Sequence, residues 1–154
     1  MTRHALLLAC LVLVGCAAER PLPAAPPEGT GERVTRVVDG DTLHVDRNGK
    51  DVTVRLLRVN TTERGQWGYS QGGQQLRRLT QGKSVRLEFE DERKDRYGRE
   101  LAYVFVGDTN VNVEVVRSGW SKFFTRYGRG KYAEDFVRAE QEARRERRGL
   151  WSRD

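Results

Sequence analysis

Asn48-Gly49, set between two stretches of alternating apolar and polar residues, is the feature that most restricts this chain. Both residue types tolerate positive φ, so the pair predicts a two-residue hairpin turn, and such a turn fixes the register of the strands it joins. Thr42 to Arg47 enters the turn and Asp51 to Val59 leaves it. In the second stretch Val52, Val54 and Leu56 share one face and Arg55 lies on the other. A further strand, Arg33 to Val38, feeds in through a bend at Asp39-Gly40, where a residue without a Cβ lets the backbone turn sharply. Antiparallel strands following one another in this way predict a meander or a small barrel.

The rest of the chain supplies more strands and the helices that cover them. Gly65 to Gly73 reads as a polar, glycine-rich loop, and 73–80 as a short helix turning Leu76 and Leu79 inward. Val85, Leu87 and Phe89 alternate along a fourth strand over 84–90. A turn at 95–99 leads to a fifth, largely buried strand over 101–106. Asn110 is placed to cap a helix through Arg117, with Gly119 ending it. Trp120 to Tyr127 is aromatic and irregular. Tyr132, Phe136, Ala139 and Ala143 then recur at helical spacing in a last helix over 132–148, and Leu150-Trp151 folds back as an apolar plug. The expected class is α+β, mainly β: a five-stranded OB-type Greek-key barrel with three helices. Fold alone does not license a function.

The N-terminus stands apart from this domain. Arg3 and His4 precede an unbroken apolar run from Ala5 to Val14, too short to span a membrane as a mature helix and shaped like an export signal. It ends in Leu13-Val14-Gly15-Cys16, which resembles the bacterial lipoprotein box. That resemblance implies a signal peptide over 1–15, cleavage before Cys16, and a lipid on its thiol. Residues 16–32 hold all four prolines and read as an extended tether, which leaves 33–154 as the folded domain. With Cys10 discarded and Cys16 acylated, no thiol remains for a disulfide or a zinc site. The chain carries 28 Lys and Arg against 22 Asp and Glu, a formal charge of +6, which suits an acidic partner such as nucleic acid or an anionic lipid surface.

Chemistry concentrates where the first strands end. Asp41 follows the Asp39-Gly40 bend, Arg55 points to the same end from the third strand, and Asn60-Thr61-Thr62-Glu63 follows that strand. Carboxylates gathered beside an arginine suit a metal-assisted phosphate site. Taken singly, each has a plainer reading: Asp39-Gly40-Asp41 as a turn, Arg55 and Arg99 as surface charges, Tyr97 and Tyr103 as packing residues. His44 reads as an exposed strand residue with no catalytic partner, and Trp67 as a loop residue packing locally. The Arg144-Arg145-Glu146-Arg147-Arg148 run reads as a solvated helix face.

Four segments in order give the chain a resemblance to the staphylococcal nuclease (thermonuclease) family from about Arg33 to Trp151. They are Val38 to Thr42; Val54 to Glu63; Asp95-Arg96-Tyr97-Gly98-Arg99 with Leu101-Ala102-Tyr103; and Gly149-Leu150-Trp151. The resemblance implies an OB barrel with three helices and calcium-dependent hydrolysis of DNA and RNA phosphodiesters. Carried over position by position, it implies Asp41, Asn60 and the Thr61 carbonyl as Ca²⁺ ligands. Glu63 corresponds to the residue that activates or aims water, and Arg55 and Arg99 to the arginines gripping the phosphate. Arg96, Tyr97 and Tyr127 fall beside the bound nucleotide, although a family tyrosine falls on either Tyr127 or Thr125. Calcium takes hard oxygens in irregular geometry, and planar guanidinium forks match charge developing on phosphoryl oxygens.

This chain departs from the family at two positions. Asn60 stands where an aspartate ligand is usual, which lowers the charge around the ion and is expected to weaken calcium binding or relax the preference among divalent metals. Thr62 replaces a proline, loosening the loop that carries Glu63. The leading expectation is a monomeric, lipid-anchored, metal-dependent endonuclease acting outside the cytoplasm. Its rivals are a non-catalytic nucleic-acid-binding OB domain tethered to the envelope and an envelope scaffold that keeps only the barrel. Asp41, Glu63, Arg55 and Arg99 together argue against both, and a mere scaffold has no physical use for the combination.

Overall fold

A computed structural model describes residues 31–153; the expected signal peptide, Cys16 and nearly all of the tether lie outside these. The Asn48-Gly49 turn forms as expected, with φ of 53° and 80° and Gly49 N donating to Asp46 Oδ1 at 2.7 Å. It joins β2 (Thr42–Arg47) to β3 (Lys50–Leu56) in continuous antiparallel register from Thr42↔Arg55 to Arg47↔Lys50. β1 (Glu32–Val37) pairs with β2 on one side and with β5 (Ser84–Lys94) on the other. β5 pairs with β6 (Glu100–Val106), and β6 closes on β3 in parallel, Arg55 opposite Leu101. These five strands form a closed mixed barrel. Closure leaves no open sheet edge and turns alternate side chains inward. Val34, Leu43, Val45, Val54, Leu56, Val85 and Val104 fill it at 0–1% exposure.

Three helices pack on one another and against the strands: α1 (Tyr69–Thr80), α2 (Val111–Arg117) and α3 (Ala133–Arg145). Asn110 caps α2 as expected, accepting from Asn112 N and Val113 N. Asn112, fully buried, then ties α2 to the barrel. Its amide nitrogen donates to the Leu57 and Ala102 carbonyls, and its oxygen accepts from Val104 N. Phe136, Ala139 and Ala143 seat α3, and Trp151 is buried in a closing 3₁₀ turn, Gly149–Arg153. There Leu150 N donates to Gly119 O at 2.8 Å. A Cβ on Gly119 would collide with the Arg148 carbonyl, so glycine is required by close approach as well as by its φ of 80°.

Several expected boundaries shift. The third strand stops at Leu56 rather than Val59, because Arg58 turns the chain with φ 62°. A short strand β4 (Val59–Thr61) follows. It pairs with β8 (Ser121–Phe123), inside the stretch expected to be irregular. A two-residue strand β7 (Thr109–Asn110) lies against β6. α1 begins at Tyr69, before the glycines, whose faces lie against the Asp39-Gly40 bend and Thr61. α3 is shorter at both ends than 132–148, and the domain's first strand already includes Glu32.

Candidate active site

The Asp39-Gly40-Asp41 bend is held by its own backbone. Val38 N donates to Thr42 O, Asp41 N to Asp39 Oδ1 at 3.0 Å, and Leu56 N to Asp41 O at 2.8 Å. Gly40 is buried against Thr61, and a Cβ there would lie 2.7 Å from Thr61 Cγ2. This absence of a side chain lets β4 approach. Asp41, 7% exposed, accepts from Thr61 N at 2.9 Å and Thr61 Oγ1 at 3.0 Å through Oδ2, and from Thr42 Oγ1 at 3.1 Å through Oδ1.

Arg55 completes the group. Its Nη2 lies 3.3 Å from Asp41 Oδ2 and donates to Asn60 Oδ1 at 3.0 Å. Its Nη1 donates to Val59 O at 2.7 Å and to Leu56 O at 3.1 Å, so one guanidinium also clasps the β3–β4 corner. Asp41, Arg55, Asn60 and Thr61 are therefore brought together. Asp39, expected only to make the turn, joins them. Burial first, and then the neighbouring Asp41 charge, push its carboxyl above the usual range, against the opposing pull of Asp41 N–H and Arg55. The Asp-x-Asp spacing across a glycine was the sequence signal for it.

Glu63 lies on the exposed segment after β4. Its backbone is fixed by Gln66, whose side-chain oxygen accepts from Glu63 N at 3.1 Å. Its carboxylate makes no hydrogen bond or ion pair among the described residues. It borders a hollow of about 300 Å³ that also touches Asn60, Thr61, Lys122, Phe124 and Leu150. Thr62 Oγ1, beside it, is buried without a hydrogen-bond partner among the described residues.

Arg99 takes its ion pair outside the Asp41 group. It is clamped by Asp95, whose Oδ2 accepts from Nε at 2.7 Å and whose Oδ1 accepts from Arg99 N at 3.0 Å. Burial raises the Asp95 carboxyl, but the Arg99 side chain and the backbone N–H groups of Arg99 and Tyr97 outweigh it, holding the group below its ordinary range. Arg99 and Tyr97 line a second hollow of about 490 Å³ with Lys50, Asp51 and Thr53. Tyr97 is 68% exposed, its hydroxyl taking a 2.6 Å bond from Arg96 Nη2. Tyr127, 70% exposed, packs edge-on against Phe124. Thr125 is exposed in the same loop.

Two plainer readings resolve differently. Trp67 does pack locally, its ring 5.7 Å from that of Trp120. His44 is not a free exposed residue. Its Nδ1 lies 2.6 Å from Asp51 Oδ2 and its Nε2 2.9 Å from Arg36 Nη2. Since arginine only donates, Nε2 accepts and Nδ1 carries the proton toward Asp51.

Among the described residues no three His, Cys, Asp or Glu side chains cluster as a metal cage; Asn60 is one reason. The donors present are the Asp39 and Asp41 carboxylates with the Asn60 amide oxygen and the Thr61 backbone. This is an all-oxygen set of low charge, which fits a hard divalent cation. Burial first and the Asp41 charge second raise the Asp39 carboxyl, and a cation beside it would oppose both.

The family model of staphylococcal nuclease homologues matches residues 53–153. The chain is 35% identical over 132 residues to a thermonuclease of Staphylococcus intermedius, covering 81% of this chain and 78% of that one. It is 35% identical over 127 residues to a thermonuclease of Staphylococcus hyicus, covering 78% and 75%. With a micrococcal nuclease of Shigella flexneri it shares 36% over 128 residues, covering 77% and 72%. Barrel and relatives agree: this chain is a phosphodiester-hydrolysing nuclease and belongs to the staphylococcal nuclease family.

Proposed function

We propose that the chain is a calcium-dependent endonuclease that hydrolyses DNA or RNA outside the cytoplasm, anchored to the cell envelope through a lipid on Cys16. The observation that carries the catalytic part is the Asp41–Arg55–Asn60–Thr61 group, where a buried carboxylate and a guanidinium meet 3.3 Å apart beside further oxygen donors. Asp41, Asn60 and the Thr61 carbonyl, with Asp39 adjacent, would hold the ion. When bound it neutralises charge on the phosphate and lowers the pKa of water.

The chain's own groups supply the rest. Arg55 Nη1 is held by the Leu56 and Val59 carbonyls, so a phosphoryl oxygen would meet the guanidinium at Nε–H or at Nη2 in competition with Asn60 and Asp41. Arg99 offers a second fork, for which the phosphate competes with Asp95. Glu63, facing solvent and unpaired among the described residues, takes a proton from the attacking water or aims it. Tyr97, Arg96 and Tyr127 border the path of the neighbouring nucleotides.

The full chain, incubated with plasmid and with single-stranded DNA, is expected to produce fragments with calcium and none with chelator. Retarded but intact DNA in both conditions would instead favour a nucleic-acid-binding module. Incorporation of a labelled fatty acid that is lost in Cys16→Ala tests the anchor.

A further inference from the structure

We propose that the hollow beside Glu63 is a second nucleotide subsite. It takes the base adjoining the scissile phosphate on the side away from Arg99, against Phe124 and Leu150, with the backbone phosphate on Lys122. The proposal rests on the nuclease reading.

A phosphodiester has a nucleotide on each side, and the site has a hollow on each side. Thr53 of β3 lines the one that holds Arg99 and Tyr97. Asn60 and Glu63 line the other. Arg55 lies between them, two residues beyond Thr53 on the same strand and hydrogen-bonded to Asn60 at 3.0 Å. A strand whose phosphate rests on Arg55 therefore runs into both.

The walls suit a nucleotide. At about 300 Å³ the hollow is at the lower end of the roughly 300–1,000 Å³ of small-molecule sites, room for one planar group. Phe124 is fixed at its backbone, where its N–H donates to Arg58 O at 3.0 Å, and its ring is only partly covered. Arg58 is itself anchored: its Nη1 donates to Tyr127 O and its Nη2 to Glu90, so the segment carrying Phe124 is tied to the barrel at both ends. An aromatic face presented this way stacks any base without reading its identity. Gln66 offers an amide at the polar edge.

Lys122 supplies the charge. In the β4–β8 pair it lies directly opposite Asn60, and opposed residues carry their side chains on one face about 5 Å apart. Its ammonium is exposed, rests 5.1 Å from the Trp151 ring and forms no ion pair among the described residues, even though Glu63 borders the same hollow. A lysine left without a carboxylate here is available to phosphate. Repulsion between Glu63 and phosphate keeps the backbone on the Lys122 side and the base inward.

The test uses the full chain and short single-stranded oligonucleotides with an abasic residue on one or the other side of a fixed scissile phosphate. Binding is followed by fluorescence anisotropy in chelator, and cleavage with calcium. An abasic residue on the Phe124 side is expected to weaken binding about tenfold, the scale of one base–aromatic stack. Phe124→Ala, and Phe124→Leu as the variant that keeps the packing volume, should bind intact and abasic oligonucleotides alike. Lys122→Ala should keep that discrimination but lower the slope of log affinity against log salt by about 0.7, one single-strand phosphate. Discrimination that survives in both Phe124 variants, or abasic residues that cost nothing in the unsubstituted chain, would overturn the subsite. Failure to cleave any oligonucleotide while the discrimination persists would overturn the nuclease reading and leave the subsite standing.

Discussion

Arg55 Nη2 stands 3.3 Å from Asp41 Oδ2, so the principal carboxylate of the site is paired before any ligand arrives. The same guanidinium reaches the Leu56 and Val59 carbonyls and Asn60 Oδ1, work that needs a planar fork. A lysine offers a single point charge and cannot reach all four. Arg55→Lys is therefore expected to lower kcat by about 100-fold or more, the scale of losing one pre-aligned donor. It should also lower stability by about 1–3 kcal/mol through carbonyls left unmade. Steady-state cleavage rates and urea unfolding check the two parts, and a variant with near-normal kcat would remove Arg55 from the phosphate clamp.

Gly40 governs how closely β4 approaches the bend. A methyl group there would sit 2.7 Å from Thr61 Cγ2 and 2.8 Å from Thr61 Oγ1. Gly40→Ala must move Thr61, and Thr61 supplies two of the hydrogen bonds to Asp41. The expected cost is about 1–3 kcal/mol of stability, as for other overpacked positions. A larger loss is expected in calcium affinity than in stability if Thr61 belongs to the proposed ion site. A thermal melt together with a calcium titration separates the two effects; unchanged values for both would contradict the close approach.

Asp39 ionises against burial and against Asp41, so its folded-state carboxyl lies above the ordinary value of 3.8. The sign follows from linkage. The folded chain holds this proton more tightly than the unfolded chain. The contribution is fully present below pH 3.8 and is lost as pH rises through the folded value. A side-chain amide at this position has no proton to lose, and its oxygen can still accept from Asp41 N–H. In chelator, Asp39→Asn should therefore gain on the unsubstituted chain as pH rises from about 3 to about 7 in urea midpoints. With calcium the advantage should shrink or reverse, because the carboxylate is then useful. A stability gap independent of pH would rule out the crowded-charge account.

The parts of this fold legible in the sequence are those set by neighbours in the chain. Asn48-Gly49 adopts the positive φ its side chains permit, and Asn110 caps α2 through donors two and three residues on. The parts that were not legible depend on distant partners. Arg58 breaks the third strand with φ 62°, a conformation unusual outside glycine and asparagine. It is held there by Tyr127 O, 69 residues away, and by Glu90. β8 has only three residues and exists because β4 pairs with it. The early turns of α1 carry glycines of poor helix propensity, overridden by packing on the Asp39-Gly40 bend. Within the site, the residues on β2, β3 and β4 assemble around Asp41 as their order suggested. No short pattern announces that Arg99 would be held by Asp95, because either side chain could equally face solvent.

Asn60 is the position where one atom of difference should be measurable. Its Oδ1 already accepts from Arg55 Nη2 at 3.0 Å, and its side chain shares a face with Lys122 across the β4–β8 pair. Asn60→Asp puts a third carboxylate beside Asp39 and Asp41, flanked by two cations that limit its repulsion. Without metal the new charge strengthens the tie to Arg55. With calcium it adds a charged oxygen ligand, and ligand charge is what chiefly sets affinity in such sites. The expected outcome is calcium binding tighter by about tenfold, or about 1.4 kcal/mol, in a calorimetric titration. Because Arg55 then competes with the ion for the same carboxylate, Arg55→Ala in the Asn60→Asp background should tighten calcium further while abolishing most cleavage. An unchanged or weaker titration for Asn60→Asp would mean that residue 60 does not face the ion, and the ligand set would have to be sought around Asp39 and Asp41 alone.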